Sequence, residues 1–413
     1  MGYTEPSREL PVFASYDVVV AGGGIAGAAA AIAASRNGAS VCLLEKEYAL
    51  GGLATLGLVV VYLPLCDGAG TKVCGGLAEE LLILSAADGP GEIPRCWLPG
   101  GDPADRRNHR YRLEFNPASY MLALERKLID EGITIMYDSR CCGVVPDEQH
   151  RGRDAWIAGV IVENKSGRGV VEALAVVDAT GDADICAYAG EPTVSLATNS
   201  ASGWYYSLQN GSPHLHKIHE PFDPEGAVVL PGARRGYAGD DGSDVTEHVL
   251  ASRELIRAHV AQLRRTQSEI SIVPYLIPTF PGFRMTRRLA GEITVDAEDR
   301  LEYPDSIGLI PNWRKSGPIY CIPLRAIRAV KHANLFAAGR CISATGHGWD
   351  MTRVIPPCAV TGEAAGTACA MIAEGRVVAV AGAGDDPVPE IGELQRRLRV
   401  QGNPLLLAEL KKQ

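Results

Sequence analysis

The densest chemistry in the chain lies in one short loop, Ala344-Thr-Gly-His347-Gly-Trp349-Asp350-Met-Thr-Arg353. His, Trp, Asp and Arg stand close together with glycines between them, which is unusual for a mere connector, since loops on a rigid scaffold often carry function. An imidazole titrates near neutral pH and serves as general acid or base. A guanidinium clamps a carboxylate or steadies an anion through paired N–H donors. His347 and Arg353 are therefore the first catalytic candidates. Their structural alternative is a packed Trp349 and an Asp350–Arg353 ion pair. A second basic cluster, Arg284-Met-Thr-Arg287-Arg288, offers another grip for an anion. The spacing of three predicts that Arg284 and Arg287 share one side of a helix.

Such groups need a rigid frame and something to act upon. The frame starts at Asp17–Glu45, DVVVAGGGIAGAAAAIAASRNGASVCLLE. It reads as a strand, a glycine turn, a small-residue helix and a second strand ending in an acid, the form of a βαβ dinucleotide-binding unit. Gly22 permits the tight turn, Gly24 lets backbone approach a pyrophosphate, and Gly27 lets the helix lie close to the sheet. The pyrophosphate would rest on the N–H groups that open the helix, beside Ile25 and Ala26. Glu45 follows Gly27 by 18 positions, about where a carboxylate meets a ribose hydroxyl pair. Lys46 is next, and Gly51-Gly52-Leu53-Ala54-Thr55 then allows a second close backbone approach.

Composition narrows the class. The chain has 413 residues, 46% hydrophobic and 22% charged, which is enough for a large core and two domains. A net charge of −9 argues against nucleic acid or an anionic membrane as general partners. The N-terminal residues lack the apolar stretch of a signal peptide, and no apolar run is long enough to span a bilayer. Eleven cysteines, an odd number without a CxxC pair, read as buried free thiols of a cytoplasmic protein. His214-Leu-His216-Lys-Ile-His219 reads as surface rather than a metal site, and no metal is expected. Cys141-Cys142 point to opposite faces of a strand, which argues against redox work.

Four motifs, in order, resemble a known family: GGGIAG at 22–27 with Glu45, GGLAT at 51–55, DATGDAD at 178–184, and NLFAAGRCIS at 334–343 followed by TGEAAGTACA at 361–370. Together they resemble FAD-dependent oxidoreductases of the glutathione-reductase-like superfamily, on the branch with the fumarate reductase and succinate dehydrogenase flavoproteins. RMTRRLAGE at 284–292 is similar to a segment of a large bacterial FAD oxidoreductase group. The resemblance implies noncovalent FAD, held by the glycine turn, by Gly52–Thr55, by Ala179-Thr180-Gly181 near the adenosine, and by Gly339-Arg340 beside the flavin. It also implies that a final helix containing Gly362 points its N-terminus at the flavin edge, where the dipole favours negative charge.

The expected architecture is α/β. A Rossmann-like FAD-binding domain, three layers about a central parallel sheet, is built from 1–190 and 321–413. An α+β substrate or cap domain, 191–320, is inserted. The expected activity is hydride transfer between a small anionic organic substrate and flavin N5. A flavin monooxygenase and an FAD-stabilised binding subunit are the alternatives. Partners would be the small-molecule substrate and a separate electron acceptor of unknown kind, and a homo-oligomer is compatible with this reading. At the level of elements, the sequence predicts strands at Tyr16–Ala21 and Ser40–Leu44 and helices at 25–37, 77–87, 244–266 and 356–375. It also predicts a helix opened by Asn116-Pro117, short antiparallel strands over 141–178 with a loop at 147–154, and a helical tail over 391–413.

Overall fold

A computed structural model describes residues 2–148, 155–296, 302–376 and 390–410. Most of the expected loop at 147–154 and the last residues of the expected tail lie outside the described residues. The first half runs β1 (Val12–Ala21), α1 (Ile25–Arg36), β2 (Val41–Leu44), β3 (Val61–Tyr62), α2 (Gly76–Ser85), β4 (Leu113–Glu114), α3 (Pro117–Asp130), β5 (Thr134–Met136), β6 (Arg140–Pro146), β7 (Ile157–Asn164), β8 (Gly167–Asp178) and α4 (Asp184–Tyr188). Then come β9 (Thr193–Ser195), β10 (Ser202–Gln209), β11 (Ser212–His219), α5 (Gly242–Thr266), β12 (Ile272–Leu276) and β13 (Arg287–Leu289). The chain closes with β14 (Ser306–Pro311), β15 (Ile319–Pro323), β16 (Leu335–Ala337), α6 (Gly346–Thr352), α7 (Ile355–Ala373), α8 (Ile391–Val400) and α9 (Leu407–Leu410).

The main sheet has the order β5-β2-β1-β8-β7-β6, with β16 also on β8. Strands β5, β2, β1, β8 and β16 are parallel, while β6, β7 and β8 form an antiparallel meander. Strand β1 starts earlier than Tyr16 because Val12 and Ala14 pair with Val170 and Val171 across a register shift. Its apolar run is explained by burial on both faces. Val18 and Val20 face the layer of α1 and α7. Val19 and Ala21 face the opposite layer, where Ile157, Val160 and Val162 of β7 pack with Ile185 of α4. Two helices with almost nothing but small residues can approach each other at backbone distance. A Cβ on Gly362 of α7 would lie 2.2 Å from the Ala26 carbonyl oxygen of α1.

Helix α3 opens as its sequence demands. Asn116 Oδ1 accepts from the N–H groups of Ala118 and Ser119, with Pro117 at the first helical position. Over residues 193–289 the chain builds the sheet β11-β10-β12, packed against α5, and the two-stranded ladder β9–β13. One expectation fails here. Residues 284–288 form no helix, because Arg287–Leu289 pairs in strand register with Thr193–Ser195. Arg287 opens this ladder while Arg284 lies in the bend before it, and their surroundings differ.

Candidate active site

Two neighbouring cavities meet at the carboxyl end of the parallel strands, each about 1020 Å³ counted to its mouth. The first is lined by Gly22, Gly24, Ile25, Ala26, Glu45, Lys46, Gly51–Ala54, Ala179–Gly181, Gly339 and Arg340. Its far end is closed by Ser139, Arg140, Cys141, Asp184 and Tyr188. The glycine turn makes this wall from backbone. Gly22 has φ +102°, open to glycine at little cost. A Cβ on Gly27 would lie 1.8 Å from the Gly22 carbonyl oxygen, so the turn and helix exclude any side chain there. Gly27 therefore shapes the cavity from behind and does not line it.

The cavity fits a dinucleotide. The N-terminus of α1 has no side-chain cap, and a Cβ on Gly24 would meet nothing within 4 Å. The uncapped N–H groups and the open space beside Gly24 form a cradle for an anion. Glu45 is buried, with Oε2 accepting from the Gly23 N–H at 2.7 Å and Oε1 from the Glu47 N–H at 2.8 Å. Burial pushes its pKa up, and the two backbone bonds pull it back. Lys46 Nζ lies 5.3 Å from the Phe280 ring centroid on the same wall. Thr180 does not present its hydroxyl freely, since Oγ1 donates to Asp178 and accepts from the Asp182 and Asp184 N–H groups. Thr55 donates to the Leu50 carbonyl at 2.6 Å and steadies the Gly51–Ala54 turn without lining the cavity.

The final helix departs from expectation in one residue. Ile355 and Cys358, in the first turn of α7, line the first cavity. Gly362 lies farther along and packs on α1. Its small size serves helix contact, and the α7 residues that line this cavity lie one and two turns earlier.

The second cavity is lined by Leu53, Ala54, Val59, Val61, Leu63, Trp204, Phe283, Trp313, Val354 and Ile355, with Arg284, Arg340 and Arg353. Leu53, Ala54, Arg340, Arg353 and Ile355 belong to both cavities and mark their junction. Arg340 is buried and donates to the Phe283 carbonyl at 2.9 Å, with Asp182 at 3.5 Å. Arg353 pairs with Asp350, which is fully buried and also accepts from Arg314 Nε at 2.6 Å. The Arg353 Nε is buried with no partner. Burial presses the Arg353 pKa down against the opposing pull of Asp350. Arg284 stacks its guanidinium 3.9 Å from the Phe222 ring centroid. Burial first, then the like charge of Arg353, lowers its pKa to about 9. Asp350 alone answers Arg353 and Arg314, so the site is cationic and short of an anion.

The other two candidates lie elsewhere. Arg287 donates through Nε to the Asp182 carbonyl at 2.9 Å and through Nη2 to Asp184 at 2.6 Å. It orients Asp184 and lines neither cavity. Asp184 is raised to about 6 by burial and by Asp182 and Asp178, despite that partner. His347, on α6, sets Nε2 2.6 Å from Glu225 Oε1, is 40% exposed, and also lines neither cavity. The sequence expected both near the flavin; in the structure neither lines either of these two cavities. In return it adds Trp204, Phe283 and Trp313, which no motif marks.

Residues 17–203 and 202–398 match the family model described as FAD dependent oxidoreductase. The chain belongs to this family. The protein is an FAD-dependent oxidoreductase, and its cofactor is FAD. No curated protein matches the chain. Among solved structures, a geranylgeranyl bacteriochlorophyll reductase-like protein from Thermoplasma acidophilum is 14% identical over 94% of this chain and 83% of that one, with a TM-score of 0.44. A flavocytochrome c3 fumarate reductase is 13% identical over 88% and 79%, at 0.41. The 3-ketosteroid-Δ4-(5α)-dehydrogenase of Rhodococcus jostii RHA1 is 17% identical over 87% and 98%, at 0.39. At such identities these likenesses concern fold alone. No described helix is long and apolar enough to cross a membrane.

Proposed function

We propose that this oxidoreductase moves a hydride between a carbon of an anionic organic substrate and the flavin, with the substrate in the second cavity. One observation carries the reading: Arg340 and Arg353 line both cavities, and Arg284 faces the second beside them. When bound, FAD supplies a two-electron acceptor and donor at N5. Everything else is the protein's contribution. Gly22, Gly24 and the start of α1 hold the pyrophosphate, and Glu45 meets the ribose. Arg284 and Arg353 bind and orient the substrate's anionic group, which relieves their mutual repulsion. The apolar walls of the second cavity exclude water, which strengthens that pairing. The uncapped N-terminus of α7, with Ile355 and Cys358 on the cofactor wall, favours negative charge nearby.

The acid–base role read for His347 is not part of this proposal, because its side chain lines neither cavity. On the same reading, the FAD-binding half is 1–190 with 321–413, the cap is 191–320, and a separate acceptor takes the electrons. Eleven free thiols support a reducing, cytoplasmic setting. The fumarate reductase branch is the finer placement that the arginine-rich site favours. The test is an anaerobic screen of organic anions against the FAD-loaded protein, read at the flavin band. A carboxylate that bleaches the band is the expected result. A flavin that no organic anion bleaches, or that only uncharged substrates bleach, would sink the proposal.

A further inference from the structure

We propose that the second cavity takes an amphipathic monoanion, a single carboxylate on a bulky apolar or aromatic body, rather than a small dicarboxylate. This rests on the reading of that cavity as the substrate site. Its polar groups are not spread around the wall. The cations Arg284, Arg340 and Arg353 are gathered toward the junction with the cofactor cavity. Phe283 and Trp313 adjoin the arginine cluster, through Arg340 and Asp350, and the rest of the lining is led by Val59, Val61, Leu63 and Trp204; apart from the Ser202 hydroxyl it offers no hydrogen-bonding side chain besides the two indole N–H groups. The lining holds no acid, lysine or histidine.

The indole of Trp313 is already committed, donating to the Asp350 carbonyl at 3.1 Å. Two further cations approach the aromatic wall and both are paired: Arg314 lies 3.9 Å from the Trp313 ring centroid and is bound to Asp350, and Lys217 lies 5.2 Å from the Trp204 ring centroid and is bound to Glu114 at 3.1 Å. Glu114 stands directly across the β3–β4 ladder from Val61. A second carboxylate pushed against this wall would lose its hydration and find no free cation. A hydrocarbon or ring there displaces water from six apolar side chains. The first carboxylate has a different reception. The guanidinium of Arg284 donates to no acceptor among the described residues, although it is buried against Phe222. The two ends of the cavity thus select opposite ends of one molecule.

The experiment is a binding titration of the full-length, FAD-loaded protein, read by tryptophan fluorescence and by the flavin band under anaerobic conditions. The probes are butanoate, hexanoate, octanoate, decanoate and 3-phenylpropionate, with succinate, fumarate and decanamide as contrasts. The Kd is expected to fall about three- to fourfold per added methylene until the cavity is filled. Decanamide should bind at least about tenfold more weakly than decanoate. Arg284→Gln should bring decanoate to the level of decanamide while leaving decanamide unchanged. Val61→Gln, at a half-buried position, should flatten the chain-length slope.

A Kd that does not change with chain length, or succinate and fumarate binding more tightly than octanoate, would overturn the proposal. The wild-type series decides this even where a variant fails to fold. The two readings fail separately. Long monocarboxylates that bind tightly without bleaching any flavin support the amphipathic site and count against hydride transfer from such ligands. Bleaching by short dicarboxylates alone keeps the hydride reading and removes this one.

Discussion

The cofactor cavity is walled largely by backbone, and the second cavity by side chains. The first gathers six glycines and the open start of a helix around a space that any dinucleotide-sized anion fills. The second gathers aromatic and aliphatic groups around three arginines. At Gly22 and at Gly27 behind it an added Cβ collides with main chain that cannot move aside, so the turn itself tolerates no substitution. A side-chain wall tolerates change and alters preference. On the proposed reading, the difference separates what this protein holds permanently from what it chooses.

That contrast can be broken at several points. The largest effect is expected from Gly27→Val, whose side chain would collide with the Gly22 carbonyl oxygen 1.8 Å from the Cβ position. Soluble protein carrying FAD should be lost, as read by the ratio of flavin to protein absorbance. Normal flavin content would show that the turn is softer than argued.

Next is Glu363, which lies fully buried in α7 and accepts from the Leu77 N–H at 2.8 Å. Burial raises its pKa from 4.5 to about 7. The folded value exceeds the unfolded one, so its contribution is complete below 4.5 and is lost as pH rises through about 7. Glu363→Gln should remove about 3 kcal/mol of this pH dependence, measured by denaturant unfolding across that window. Parallel curves for the two proteins would refute the assignment.

In the side-chain wall, Arg284→Ala should leave FAD bound and weaken an anionic substrate by roughly 2 kcal/mol, or about thirtyfold in kcat/KM. Loss of flavin from this variant would mean that Arg284 belongs to the cofactor cavity instead. The smallest effect is expected from His347→Ala. Its half-exposed pair with Glu225 is worth about 0.5 kcal/mol or less, and turnover should change by less than about twofold. A large fall in kcat would restore His347 to the reaction.

What could be read in the sequence follows the same division. A backbone wall requires glycine at fixed intervals, so the spacing of Gly22, Gly24 and Gly27 with Glu45 announced the first cavity. Asn116 and Pro117 announced a helix start for an equally local reason. The second cavity has no spacing to read, because Leu53, Trp204, Phe283, Trp313 and Arg353 come from distant parts of the chain. Arg284 and Arg287 misled because a spacing of three suits a helix, whereas pairing with Thr193–Ser195 decided the local structure. Gly362 misled in another way. A small residue serves close cofactor approach and close helix packing alike, and only the position of α1 tells them apart. His347 has acid–base chemistry but pairs with Glu225 and lines neither cavity.

The packing of α7 on α1 has a consequence for synthesis. Strand β1 pairs early with β2 on one edge but waits for β8 on the other, and the alanine face of α1 waits for residues 355–373 to cover it. A nascent chain leaving the ribosome therefore carries a finished glycine turn on an unfinished support for most of translation. Contacts this distant close slowly and leave apolar surface open meanwhile. Truncation before α7 should yield a chain that chaperones retain, however intact its opening βαβ motif.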